Sequence, residues 1–216
     1  MMRASFGLIL FTSVCLSVSA ARADIILFDF DSAPPYTPIP IDLTSGSLTA
    51  HFTATDLGYS IQHANVLGFT PAGLFGNCLD PSGGNISDLS ISFDQPLTDI
   101  SLMYSPCEYA TDTSAQMMRI TAYLGSNMVG TNTHILIDQS PYTWPTGILS
   151  FASAQLFDRV VVHYDKSPTS GDFGSVFLVD NVNVTTVPEP GSACLVAFAV
   201  GMGSLVGMIR RQNICK

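Results

Sequence analysis

At 216 residues the chain has room for one domain of ordinary size plus processing segments. It carries 17 acids against 8 basic residues, a formal net charge of −9, and only Arg119, Arg159 and Lys166 fall between Asp24 and Thr186. So acidic a surface cannot displace the counterions of a phosphate backbone, which argues against nucleic acid as a partner. Its mean hydropathy of +0.35 comes with only 12% charged residues, and the apolar excess sits at the two ends.

Residues 1–23 have the parts of a secretory signal peptide with a helical core. Arg3 gives a positive start, Phe6 to Val18 form a short apolar run, and Ala21-Arg22-Ala23 supplies the small-x-small pattern for signal peptidase. Cleavage after Ala23 leaves Asp24 at the mature N-terminus, and Val18-Ser19-Ala20 is a second usable site. The chain is therefore expected to be exported.

From Asp24 to Thr186 no stretch has a helical period. Short β-branched and aromatic runs alternate with polar residues between Gly, Pro, Asn, Asp and Ser clusters. Strands are predicted at 25–31, 47–53, 58–62, 86–93, 99–104, 116–124, 128–137, 147–151, 157–164 and 176–184. The proline-rich stretch 31–43 is expected to run as an extended arm across a sheet edge, and turns are marked by Gly125-Ser126-Asn127 and by residues 81–85. About ten short strands with polar connections predict an all-β fold: a two-sheet antiparallel sandwich of jelly-roll type. A barrel shares the pattern, because periodicity reports which face is buried and not how the sheet closes.

Beyond the domain, Val187-Pro188-Glu189-Pro190-Gly191 is rigid and extended, since each proline fixes φ and removes a donor. Ser192 to Ile209 follows without a charge, long enough to cross a membrane as one helix, and Arg210-Arg211 stop it. Basic residues on the trailing side predict that this end stays cytoplasmic, with the domain facing the periplasm from the inner membrane. The order of Pro188-Glu189-Pro190, an apolar helix and Arg210-Arg211 resembles the PEP-CTERM sorting signal of Gram-negative bacteria. The domain also shows short motifs that look like those of PEP-CTERM proteins: Phe28-Asp29-Phe30-Asp31, the step from Phe93 to Leu102, Ala122 to Gly125, and Val179 to Val182. The resemblance implies that exosortase recognises segment 187–216 and removes its helix and tail. It also implies an association with exopolysaccharide and extracellular matrix, at the cell surface or in the medium.

Within the domain, chemistry-bearing residues are sparse. Cys78 and Cys107 are its two cysteines, and in an oxidising compartment they are expected to pair. Closing that loop of roughly thirty residues stabilises by on the order of 3–4 kcal/mol. Calcium needs several hard oxygen ligands at once. Asp29 and Asp31 at the first strand, with Asp180 and Asn181 at the last, are the set that neighbouring terminal strands would bring together. Tyr142 and Trp144 lie in one loop and are the aromatics that a sugar ring would stack on. The four histidines have no zinc spacing, and no nucleophile elbow or phosphate loop is present. The expected function is that of a non-catalytic envelope or matrix protein with polysaccharide as its ligand. A secreted hydrolase acting on glycans or esters, and a self-associating structural subunit, are the two competing readings.

Overall fold

The computed structural model describes residues 24–55, 58–66, 68, 70–81, 87–106, 115–137, 145–165 and 177–186. All of them lie within one compact unit, Ala23–Val187. The signal peptide, the sorting segment 187–216, Cys107, Tyr142 and Trp144 lie outside the described residues.

Ten strands make up the fold: β1 Ile25–Phe28, β2 Ile41–Ser45, β3 Leu48–Ala54, β4 Tyr59–His63, β5 Asn77–Pro81, β6 Leu89–Pro106, β7 Ala115–Leu124, β8 Asn127–Ile137, β9 Gly147–Asp165 and β10 Phe177–Thr186. Every pairing is antiparallel. The sheet folds over itself into a β-sandwich because β6 and β9 are long enough to serve both layers. In one layer, β10 pairs with the Leu97–Pro106 half of β6, which pairs with residues 147–157 of β9. In the other, β3 pairs with Leu89–Phe93 of β6, which pairs with residues 159–162 of β9, and β7 and β8 follow. The register shifts between Ser92 and Asp99 mark where β6 passes from one layer to the other.

Alternation decides the core. Leu89, Ile91 and Phe93 of β6, Val160, Val162 and Tyr164 of β9, and Met118, Ile120 and Ala122 of β7 all turn inward and are buried. Phe28 of β1 meets Phe52 of β3 edge-on across the two layers, with ring centroids 6.3 Å apart, and Phe30 packs on the same ring at 5.1 Å. A smaller apolar cluster of Ala64, Leu74, Cys78 and Leu178 forms where the chain between β4 and β5 folds onto the sheet.

The sequence pattern misplaces four features. The strands predicted at 86–93 and 99–104 are one continuous strand, β6, which begins at Leu89. The Gln95-Pro96 punctuation bends the strand without ending it, since an antiparallel ladder tolerates a proline at a bulge. Likewise 147–151 and 157–164 are both parts of β9. The arm expected over 31–43 is a strand in its last part, where Ile41 to Ser45 pair with β3. β5, Asn77-Cys78-Leu79-Asp80-Pro81, escapes the pattern because all five of its residues are buried and none alternates.

Candidate functional site

Two places gather chemistry-bearing side chains. The first lies where the edge of β10 opposite β6 passes from β5 to β1: Val179 pairs with Leu79, and Val182 with Phe28. Asn181 takes a left-handed φ of 51° at this handover, and the ladder to β6 shifts between Asp180 and Asn183. Asp180 satisfies the backbone that the ladder leaves unpaired, accepting N–H from Asn181 at 2.7 Å and from Phe75 at 3.3 Å. Asp31 accepts the Asn77 N–H at 2.7 Å, and Asp29 accepts the Asp31 N–H at 3.2 Å. Gly76, at φ 63°, runs so close over the Asp31 carboxylate that a side chain there would overlap it.

The four residues singled out for calcium thus converge on the first and last strands. Asp29 and Asp31 are close enough to Asp180 to raise its carboxyl. Burial is the larger cause, and the Asn181 and Phe75 N–H groups oppose it, leaving Asp180 pushed up to about 7. These carboxylates already hold backbone N–H groups. Among the described residues no group of three or more His, Cys, Asp or Glu is arranged to hold a metal ion. The arrangement fastens the β4–β5 connection to the sheet.

Next to it, Asp80 is 7% exposed and pushed up to about 6 by burial. Cys78 is buried, and Cys107, its expected partner, lies outside the described residues. Desolvation, then the charges of Asp80 and Asp180, push the Cys78 thiol up to about 12.

The second place is the outer face of the β2–β3–β6–β9–β7–β8 layer, where the residues between the buried ones point to solvent. Register sets them in rows. One row reads Asp42, His51, Ser92, Arg159 and Tyr123 across five strands. The next reads Thr53, Ser90, Val161, Thr121 and Thr131. A third places His163 beside Arg119 and Thr133. Neighbouring rows lie about 7 Å apart along the strands and successive strands about 4.8 Å apart, so the rows form a grid on the sheet surface.

Contacts hold the grid in place. His51 Nδ1 lies 2.7 Å from Asp42 Oδ1. The Arg159 guanidinium stacks on the Tyr123 ring, 4.3 Å from its centroid. Thr121 and Thr131 hydroxyls are 3.1 Å apart. His163 is bonded through Nδ1 to Asp88 and faces Asp165 with Nε2 at 3.1 Å. Arg119 Nη2 donates to Asp165 at 3.2 Å, while its Nε, 3.1 Å from the other Asp165 oxygen, approaches too obliquely to bond. Among the described residues Arg159 is the one cation without a carboxylate partner.

Sequence reading did not single out this face. Each strand shows the Ser, Thr, His or Arg of the polar alternation, but the rows exist only once the registers are set.

No family model matches the chain, and no curated protein matches it in sequence. Solved structures do. The cleaved K2 adhesin domain of Lys-gingipain aligns over 76% of this chain and 100% of its own, at 11% identity and a TM-score of 0.48. A family 29 carbohydrate-binding module aligns over 76% and 92%, at 11% identity and 0.37. The module TmCBM61, in complex with beta-1,4-galactotriose, aligns over 64% and 88%, at 9% identity and 0.36. At such identities and scores the likeness reaches no further than a shared β-rich architecture.

Proposed function

We propose that this chain is an exported, non-catalytic cell-envelope or matrix protein whose β-sandwich, read as a jelly roll, binds polysaccharide on the outer face of the β2–β3–β6–β9–β7–β8 layer. On this reading the segment around Pro188-Glu189-Pro190 and Arg210-Arg211 is a PEP-CTERM signal processed by exosortase, after signal peptidase has released the N-terminus. The observation that carries the ligand class is the register of hydroxyls, imidazoles and carboxylates around Arg159 on Tyr123. A glycan presents many hydroxyls that both donate and accept, with apolar C–H faces between them. A grid of fixed polar groups with an aromatic ring among them answers both features.

On this reading the domain is non-catalytic. Both nitrogens of His163 are engaged by carboxylates, so neither is directed at a separate nucleophile. The two carboxyls with raised pKa, Asp80 and Asp180, resemble acid–base catalysts in that respect alone. At 7% and 1% exposed they are closed to a substrate.

The test is a glycan array probed with residues 24–186, followed by titration of the best ligand. Arg159→Ala and Tyr123→Ala are each expected to weaken binding about tenfold or more, a loss of roughly 1.4 kcal/mol, with the unfolding temperature unchanged. Chelating divalent cations is expected to leave binding intact. An array without signal, or release of reducing ends from any glycan tested, overturns the reading. Sorting is tested separately by mass spectrometry of the exported protein, where an intact Arg210-Arg211 tail counts against it.

A further inference from the structure

One side of the sandwich is closed by two strands that carry no charge. β8 runs from Asn127 to Ile137, and residues 147–157 of β9 read Gly-Ile-Leu-Ser-Phe-Ala-Ser-Ala-Gln-Leu-Phe; neither contains Lys, Arg, Asp, Glu or Pro. β8 is bonded only to β7, and this part of β9 only to β6. Among the described residues nothing pairs with either strand from the other side. Asn132 Nδ2 donates to the Ser150 carbonyl at 2.7 Å and ties the two edges together. The only titratable side chain on them, His134, is engaged by the Tyr104 hydroxyl at 2.8 Å. Met128, Ile135 and Ile148 are 67%, 55% and 58% exposed on the same two strands.

An edge of this length is normally guarded by lysine, proline or a covering segment, because its unpaired N–H and C=O groups invite another strand. The fold does guard β4: Tyr36 N–H bonds Ile61 O, Ile61 N–H bonds Thr37 O, and Ile39 N–H bonds Tyr59 O. The β8 side has no such cover among the described residues.

We propose that this uncharged side is the contact surface for a second copy of the chain, β8 running antiparallel to the partner's β8 across a two-fold axis. Charge selects the occupant. Two chains of net charge −9 repel one another, and this side is where they approach without bringing like charges together or desolvating any. Antiparallel pairing of a strand with itself satisfies the same backbone groups on both copies and closes the assembly at two. Met128 and Ile135 of both copies then share one strip along the seam. The dimer would also join two outer faces into one continuous sheet, so a polysaccharide bound to one copy meets the second without a new encounter. The pairing itself does not depend on that ligand.

Sedimentation equilibrium of the full-length chain in density-matched detergent tests this across a roughly hundredfold range of concentration. The expected mass rises to twice the 23.0 kDa of one chain, and association tightens with added salt as the mutual repulsion is screened. The double variant Ile135→Asp, Ile148→Asp is expected to stay at one chain mass with an unchanged circular dichroism spectrum. Should that variant fail to fold, amide exchange of the unaltered chain decides: β8 amides must slow with concentration while β4 amides do not. A monomer throughout overturns the proposal and leaves the edge to a different partner. A dimer that ignores the double variant, or one that weakens with salt, overturns it by placing the contact elsewhere, the apolar C-terminal segment included.

Discussion

Among the described carboxyls Asp180 is the one whose ionisation this fold most resists, and the resistance sets the sign of a pH effect. Burial raises it from the ordinary 3.8 to about 7, the charges of Asp31 and Asp29 adding to the effect against the N–H groups of Asn181 and Phe75. Between those two values the folded protein holds a proton that the unfolded chain has released. Stability varies with pH as the protons bound by the unfolded state minus those bound by the folded one, so the slope here is negative. The contribution is greatest at the acid end of the window and is lost as pH rises toward 7. Asp80, raised to about 6 by burial, acts in the same direction.

A difference of about three pH units corresponds to roughly 4 kcal/mol. Water and side-chain relaxation beneath a surface loop leave about half of that, on the order of 2 kcal/mol. The perturbation is Asp180→Asn, which cannot titrate. Its single oxygen still accepts one backbone N–H, while its amide group faces the other and costs about 1–2 kcal/mol. At pH 4, where the wild type still has most of its contribution, the variant is therefore expected to be less stable by about that amount. By pH 8 it is expected to match or slightly exceed the wild type, as the wild type loses its roughly 2 kcal/mol. Urea denaturation of residues 24–186 at a series of pH values, read as midpoint shifts at constant slope, measures the difference curve. A difference that does not change with pH refutes the argument from burial. One that changes in the opposite sense means that a cation holds the carboxylate ionised.

Two further outcomes follow from local geometry. Gly76→Ala forces a side chain into the Asp31 carboxylate at a left-handed φ, whereas Gly46→Ala, at φ 60° in the β2–β3 turn, meets nothing within 4 Å. Thermal unfolding is expected to show a loss above about 2 kcal/mol for the first and about 1 kcal/mol for the second, and equal losses would mean that the contact with Asp31 is not maintained. Cys78, buried and pushed up to about 12, is expected to resist alkylation in the folded protein and to react once denaturant is added without reductant. A Cys78 that stays unreactive in denaturant until a reductant is present is bonded to Cys107.

Much of the strand content was written in local alternation, and where the pattern failed the cause is physical. Gln95-Pro96 and the Ser153-Ala154-Gln155 stretch interrupt the apolar periodicity, so the sequence shows two short strands where the chain runs on through a bend. β5 was invisible because full burial removes the alternation on which recognition depends. The convergence of Asp29 and Asp31 with Asp180 and Asn181 was legible, since the terminal strands of a sandwich tend to lie side by side. What those carboxylates hold was not, because their partners are backbone N–H groups of Phe75 and Asn77, contributed by a connection that the sequence leaves unplaced.

By itself, then, the sequence determined which faces are buried, because a period of two is a property of neighbouring residues and needs no tertiary contact. It also carried the expectation of export and sorting, which rests on contiguous segments at the two ends. Only the tertiary structure decided which polar residues share a row and which strands are left at an edge. Both depend on register and strand order, set by packing between residues up to a hundred positions or more apart, as Phe75 and Asp180 are. Arg159 above Tyr123, and an uncharged side on an acidic domain, therefore became visible only when the sheet closed.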